Sequence, residues 1–161
     1  MKDIVIINGE RASGKTYKMI SYAVKSSSTN SNNVFIIATS PRSFDYFEHI
    51  IMKEYPSLRF ERRKDGFLFE TPTYSWFIYC VPLCDIHNYY IELSMADEIM
   101  IDEYTTFTYL IKDKNIVDCM QKATTVILTI SDYYFNSVKF GVIDVIKKLG
   151  APVTITRIQN G

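Results

Sequence analysis

Net charge is the first thing missing. Eighteen Lys and Arg balance eighteen Asp and Glu over 161 residues, so the formal net charge is zero. No global field draws the chain to nucleic acid or to a membrane surface; contact with DNA requires a local patch or an assembly. Long apolar runs are missing too. None approaches the ~18 residues of a membrane span, the N-terminus has no signal-peptide pattern, and no membrane partner is expected. Cysteine is sparse and odd in number: Cys80, Cys84 and Cys119. Their spacing fits no zinc pattern, which points to three reduced, partly buried thiols and a cytoplasmic protein. No repeat, coiled-coil pattern or compositional break divides the chain. It reads as one domain, 1–161, and its 47% hydrophobic content suffices for a sizeable core. Aromatic residues make up 14%, with twelve tyrosines, which fits core packing or a partner surface equally well.

What the chain does carry is concentrated near its start. Ile4-Val5-Ile6-Ile7 is a short apolar run with strand character. Gly9-Glu10-Arg11-Ala12-Ser13-Gly14-Lys15-Thr16 follows at once and reads G-x-x-x-x-G-K-T. A helix-like segment comes next. Strand, loop and helix in that order are the context of a phosphate-binding P-loop. The chemistry explains the residues. Phosphates need several backbone N–H donors converging on them, so the loop must curl tightly at Gly9 and Gly14. The helix that follows offers free N–H groups and the positive end of its dipole. Lys15 brings a mobile positive charge to the β- and γ-phosphates, and the Thr16 hydroxyl suits Mg²⁺. Arg11 places a guanidinium beside the phosphates, where it can stabilise transition-state charge from within the same chain. The other reading of Arg11 is a solvent-facing side chain.

The rest of the pattern is α/β. A helix over about 15–25 puts Met19, Ile20, Ala23 and Val24 on one face. A polar Ser/Asn loop, 26–33, precedes the apolar strand Val34–Ala38, whose continuous apolar run suits a parallel sheet covered on both faces. Ser40-Pro41 starts a helix by the capping rules, with Phe44, Phe47 and Ile51 as its buried stripe and an end near Tyr55-Pro56. Residues 58–81 differ in character: alternating segments around Asp65-Gly66 predict an antiparallel inserted or edge hairpin. Arg59, Arg62, Arg63 and Lys64 cluster there, either as a phosphate-backbone contact or as a charged, aggregation-resistant edge. Then come a strand at Glu98–Ile101, a helix over about 106–121, a strand at Thr124–Ile130, a helix over about 136–149 stopped by Gly150, and a last strand at Val153–Ile158. The sum is a three-layer α/β fold with a mainly parallel sheet.

A second motif completes the site. Ile99-Met100-Ile101-Asp102-Glu103 has the Walker B form, apolar residues followed by Asp and Glu. In a parallel sheet ligands bind at the carboxyl ends of the strands, where the Gly9–Thr16 loop also lies. Asp102 suits Mg²⁺ and Glu103 suits orienting or polarising the attacking water. Thr129-Ile130-Ser131 ends the next strand; a hydroxyl at its tip can contact the γ-phosphate or its water, and the other reading is the Thr or Ser that commonly ends a strand. Lys122, just before that strand, is either a solvated lysine or a charge that reaches a neighbouring subunit's nucleotide.

These residues resemble a family. Gly9–Thr16 is similar to the G-x-R-x-S-G-K-[ST] loop of large-terminase ATPases, the DNA-packaging motors of tailed phages. Ile99–Glu103 resembles their Walker B strand, Thr129-Ile130-Ser131 their coupling motif, and the run from Gly66 to Leu83 the hairpin region of the compact packaging ATPases of small tailed phages. The resemblance implies an additional-strand sheet in the order 5-1-4-3-2. It implies ATP bound by Gly9, Glu10, Arg11, Ala12, Ser13, Gly14, Lys15 and Thr16, and Mg²⁺ at Thr16 and Asp102. It implies catalysis by Glu103 with Arg11 and Lys15, and coupling near Ser131. It also implies work on double-stranded DNA as a homo-oligomeric ring, often pentameric, on a portal, in the host cytoplasm if the chain is viral. Only Met1-Lys2-Asp3 precede the first strand, where the family carries an adenine-contacting segment, and the sequence stops at Gly161, where the family continues into a nuclease domain. The expectation is an isolated ATPase domain, or a small stand-alone ATPase of a virus or mobile element. Rival readings of the same loop are a helicase-like or replication-associated ATPase, a nucleotide kinase, and a module that keeps ATP as a structural ligand.

Overall fold

The computed structural model describes residues 3–10, 14–136, 147, 149–150 and 152–158. Its strands are β1 Asp3–Gly9, β2 Val34–Ala38, β3 Arg59–Arg63, β4 Gly66–Glu70, β5 Ser75–Pro82, β6 Glu98–Ile101, β7 Thr125–Ser131 and β8 Val153–Ile158. Its helices are α1 Lys15–Thr29, α2 Ser43–Glu54, α3 Tyr90–Ser94, α4 Tyr104–Leu110 and α5 Lys114–Lys122, with a 3₁₀ segment Leu83–Tyr89 ahead of α3. All the strands join one eight-stranded sheet in the order β3-β4-β5-β2-β6-β7-β1-β8. From β5 to β8 every neighbouring pair is parallel. Numbered among themselves, β1, β2, β6, β7 and β8 run 5-1-4-3-2 across the sheet.

The central strands are apolar along their length because both faces are covered. On one face Phe35, Ile99, Ile101, Val126 and Leu128 pack with Leu93, Phe107, Leu110, Ile116 and Met120 from α3, α4 and α5. On the other, Ile7, Ile36, Met100 and Ile127 pack with Met19, Ile20 and Ala23 of α1 and with Phe44, Phe47 and Ile50 of α2. The result is helix, sheet, helix. No helix among the described residues is long and apolar enough to cross a membrane.

Several boundaries differ from the expected ones, each for a local reason. Helix α1 runs to Thr29 rather than stopping near Lys25. Ser26 and Ser27 are buried there, which their hydroxyls allow because both are bonded. Ser26 donates to Glu98 Oε1 at 2.7 Å, and Ser27 accepts from the Trp76 indole at 3.0 Å. Helix α2 begins at Ser43 with no side-chain cap; Ser40-Pro41 form a turn before it. The single helix expected over 106–121 is two, because Asp113 caps a new start. Its Oδ1 accepts the N–H of Asn115 at 2.9 Å and of Ile116 at 3.4 Å, the competition an Asp side chain offers to a continuing helix. Most of the helix expected over 136–149 lies outside the described residues. Gly150 is described: it has φ 83, and its N–H bonds the Lys147 carbonyl at 2.9 Å.

The segment 58–81 lies at the edge of the sheet. β3–β4 and β4–β5 are antiparallel, as expected, but β5 lies parallel to β2, with Tyr79 opposite Phe35. The segment therefore extends the main sheet. The cause is its apolar alternation: Phe67, Phe69, Ile78 and Cys80 join the same core as α2. Gly66 must be glycine here, since a Cβ would lie 2.1 Å from the Ile78 carbonyl oxygen. Outermost β3 is exposed apart from half-buried Phe60. Two of its arginines are paired. Arg62 bridges Asp45 and Glu48 of α2, and Arg63 pairs with Glu61 at 3.3 Å. These pairs tie and blunt the sheet edge.

Candidate nucleotide site

The strand order sets the site. β1, β7 and β6 are neighbours running in one direction, so the segments leaving their carboxyl ends meet at one edge. Gly9–Glu10 leave β1, Ser131–Asp132 leave β7 and Asp102–Glu103 leave β6. α1 starts at this edge behind Gly14, whose φ of 98 is a left-handed conformation that glycine adopts without strain. Arg11, Ala12 and Ser13 lie outside the described residues. A cleft of about 520 Å³ opens there, lined by Lys15, Thr16, Asp102, Glu103, Thr129 and Ser131 and walled by Tyr46, Tyr104, Tyr133 and Tyr134.

Within it, residues far apart in sequence touch. The Thr16 hydroxyl donates to Asp102 Oδ1 at 3.2 Å. The Thr129 hydroxyl donates to the same oxygen at 2.9 Å. The Glu103 N–H donates to Thr129 Oγ1 at 2.7 Å. Lys15 folds back over the loop, and its Nζ donates to the Glu10 carbonyl at 2.7 Å. Behind the loop, buried Asn8 donates to Asp132 Oδ1 at 3.1 Å. The Asn8 Oδ1 has no donor among the described residues.

Glu103 is exposed and its backbone is unusual, with φ 78 and ψ 138 at the N-terminal end of α4. A non-glycine residue in such a conformation costs on the order of 1–3 kcal/mol and tends to occur at functional sites. Burial lowers the Lys15 pKa; Asp132, Asp102 and Glu103 oppose that shift. Burial pushes the Asp102 carboxyl up to about 6; Glu103 adds to the rise, while the Thr129 and Thr16 hydroxyls and the Lys15 charge pull it down.

The Asp102 shift has a stability consequence. Its folded pKa lies above the ordinary carboxylate value of about 4. The associated stability is therefore full below about pH 4 and is lost as pH rises through about 6. At about pH 8 the ionised carboxylate costs the empty fold up to about 3 kcal/mol. Asp102→Asn removes that cost and still offers an oxygen to both hydroxyls. Its ligand-free thermal midpoint is expected to exceed the wild-type value by several degrees at about pH 8, with the gap closing toward about pH 4. Equal midpoints at the higher pH would contradict this account.

The donor set fits a magnesium ion. A hydroxyl and a carboxylate oxygen converge, both hard oxygen ligands, and Mg²⁺ needs few protein ligands when phosphates and water supply the rest. No group of three or more His, Cys, Asp or Glu suited to a metal occurs among the described residues, so an all-protein cage is not what this edge offers.

The structure brings together Gly9, Glu10, Gly14, Lys15, Thr16, Asp102, Glu103 and Ser131. It keeps Lys122 away, exposed at the end of α5 beside the amino end of β7, a strand's length of about 20 Å from the site. Sequence reading missed Tyr46, Tyr104, Tyr133 and Tyr134, which carry no motif, and the bond from Asn8 to Asp132. Of the two hydroxyls in Thr129-Ile130-Ser131, that of Thr129, 1% exposed, is bonded to Asp102 and Glu103 within the protein.

No protein-family model matches the chain, and no curated protein matches it in sequence. Solved structures do match. The large terminase from a thermophilic bacteriophage aligns with a TM-score of 0.65 at 12% identity, over 98% of this chain and 41% of that one. The N-terminal domain of the DNA packaging ATPase from bacteriophage phi29 aligns with a TM-score of 0.59 at 13% identity, over 96% of this chain and 90% of that one. A chain of the phi29 genome packaging motor assembly aligns with a TM-score of 0.53 at 13% identity, over 83% and 46%. This chain thus spans less than half the length of the thermophilic phage's terminase. The likeness is one of fold: the chain is built like the ATPase domains of phage terminases and packaging motors.

Proposed function

We propose that the chain is an Mg²⁺-dependent ATPase domain that works on double-stranded DNA as one subunit of a ring motor. The observation that carries the proposal is the meeting of Thr16 with Asp102, with Glu103 beside them, at the carboxyl edge of the parallel strands. The likeness to packaging ATPases supports the choice of DNA as the polymer moved. A ring on a portal in the cytoplasm follows from the same reading.

Each residue then has a task. Gly9, Gly14 and the backbone between them cradle the phosphates, together with Glu10, Ala12 and Ser13. Lys15 leaves the Glu10 carbonyl and neutralises phosphate charge, and Arg11 adds a second cation. Thr16 and Asp102 hold Mg²⁺, which when bound offsets charge on the phosphate oxygens. Glu103 accepts a hydrogen bond from the attacking water and aligns it for in-line displacement. Ser131, half-buried on the cleft wall, stands where the strand tip can respond to the loss of the terminal phosphate.

The test is ATP turnover by the purified chain with and without double-stranded DNA. Hydrolysis that rises severalfold with DNA is expected. Hydrolysis indifferent to DNA would overturn the motor reading, and phosphate transfer to a nucleoside monophosphate rather than to water would replace it with a kinase.

A further inference from the structure

We propose that Thr129 is a positioning residue: its hydroxyl latches the strained backbone of Glu103 and wires it to Asp102. The inference rests on the ATPase reading for its kinetic part and on geometry alone for its stability part.

Glu103 occupies φ 78, ψ 138, a conformation that glycine tolerates and that a side chain must be held in. Its neighbours show what holds it. Asp102, one residue earlier, is pinned to β2, its N–H bonding the Ile37 carbonyl at 3.1 Å. The Thr39 hydroxyl donates to the Asp102 carbonyl at 3.4 Å. One residue on, α4 begins, with the Phe107 N–H on the Glu103 carbonyl at 3.4 Å. Between these fixed points the Glu103 N–H has one acceptor among the described residues, Thr129 Oγ1 at 2.7 Å.

A hydroxyl has a single proton. Thr129 gives its proton to Asp102 Oδ1 at 2.9 Å, so a lone pair is left to face Glu103. One buried hydroxyl therefore sets two things at once: where the Asp102 oxygen sits and how the Glu103 backbone turns its carboxylate into the cleft. The task on phosphate falls instead to Ser131, two residues on, which alternation of the strand places on the same side and beyond the buried layer.

The test compares T129V, which keeps shape and loses both bonds, with T129S, which keeps the hydroxyl. ATP turnover is measured alongside E103Q, and thermal midpoints are measured without nucleotide in the wild-type and E103G backgrounds. T129V is expected to lose about 30-fold or more in kcat with KM within about threefold, a loss of transition-state positioning rather than of binding. T129S is expected to recover most of the rate. T129V combined with E103Q is expected to be no slower than E103Q alone, since both act through one group. T129V is also expected to lower the midpoint less in the wild-type background than in E103G, because releasing the latch lets the strained Glu103 relax whereas the glycine had no strain to recover. A T129V rate close to wild type beside an inactive E103Q overturns the latch and leaves the ATPase standing. Equal midpoint losses in both backgrounds also overturn it, whatever the turnover. Absent wild-type turnover overturns the ATPase reading instead, and E103Q as fast as wild type overturns the catalytic role of Glu103 on which the kinetic part rests.

Discussion

Glu103→Gln is expected to slow ATP turnover by about 10²–10⁴-fold, the range for removing a positioned general base, while nucleotide affinity stays nearly unchanged. The substitution is close to isosteric. It keeps the side chain's length and leaves the backbone N–H on Thr129 at 2.7 Å. It removes only the carboxylate's capacity to accept a proton from water. Glu103 is exposed, so no buried charge pair is broken and folding should be unaffected. The phosphate cradle and the Thr16–Asp102 contact at 3.2 Å lie on other elements and are untouched. Turnover at saturating ATP, paired with equilibrium binding of the nucleotide, separates the two effects. A variant that binds weakly and turns over at a normal kcat would put Glu103 in the cradle rather than at the water.

Lys15→Ala should do the opposite, weakening binding itself by about 10–100-fold, the worth of a charge-assisted hydrogen bond of about 1.5–3 kcal/mol. The upper end is expected because of what remains. Asp132, Asp102 and Glu103 all act electrostatically on Lys15, and without its charge these carboxylates face the phosphates with less to offset them. The ligand-free chain should lose little, since the hydrogen bond of Lys15 goes to the carbonyl of exposed Glu10. Calorimetric titration with ADP and ATP checks this. Unchanged affinity for both would remove the Gly9–Thr16 loop from the phosphate site.

The placement of these residues was legible because spacing and chemistry agree at every level. An apolar run followed by G-x-x-x-x-G-K-T can be read as strand, loop and helix without knowing the fold. Ile99–Glu103 announces a strand whose acidic tip belongs at the same edge. Where β5 attaches was not legible. Alternation around Asp65-Gly66 reports two paired strands, but the parallel pairing of Tyr79 with Phe35 is a contact between distant parts of the sequence that no local pattern encodes. The break before Asp113 was missed because apolar periodicity continues across it, while the cap depends on one side chain turning onto the next turn's N–H groups. Which of the two readings of the basic cluster holds was not legible for a similar reason: Asp45 and Glu48, which pair with Arg62, lie on α2. The role of Thr129 hid within a motif read for its hydroxyls. The sequence shows that a hydroxyl is present at a strand tip, and burial decides whether it faces phosphate or protein.

Phosphate release from ATP tests the central claim most directly. The purified chain is mixed with saturating ATP and Mg²⁺, and inorganic phosphate is followed for the wild type, E103Q and K15A at equal protein concentration. The account predicts steady release by the wild type, its near-absence in E103Q although that variant still binds ATP, and reduced release by K15A, whose ATP binding is weakened. Release by E103Q at the wild-type rate, or a wild type that binds ATP and never releases phosphate, would contradict it.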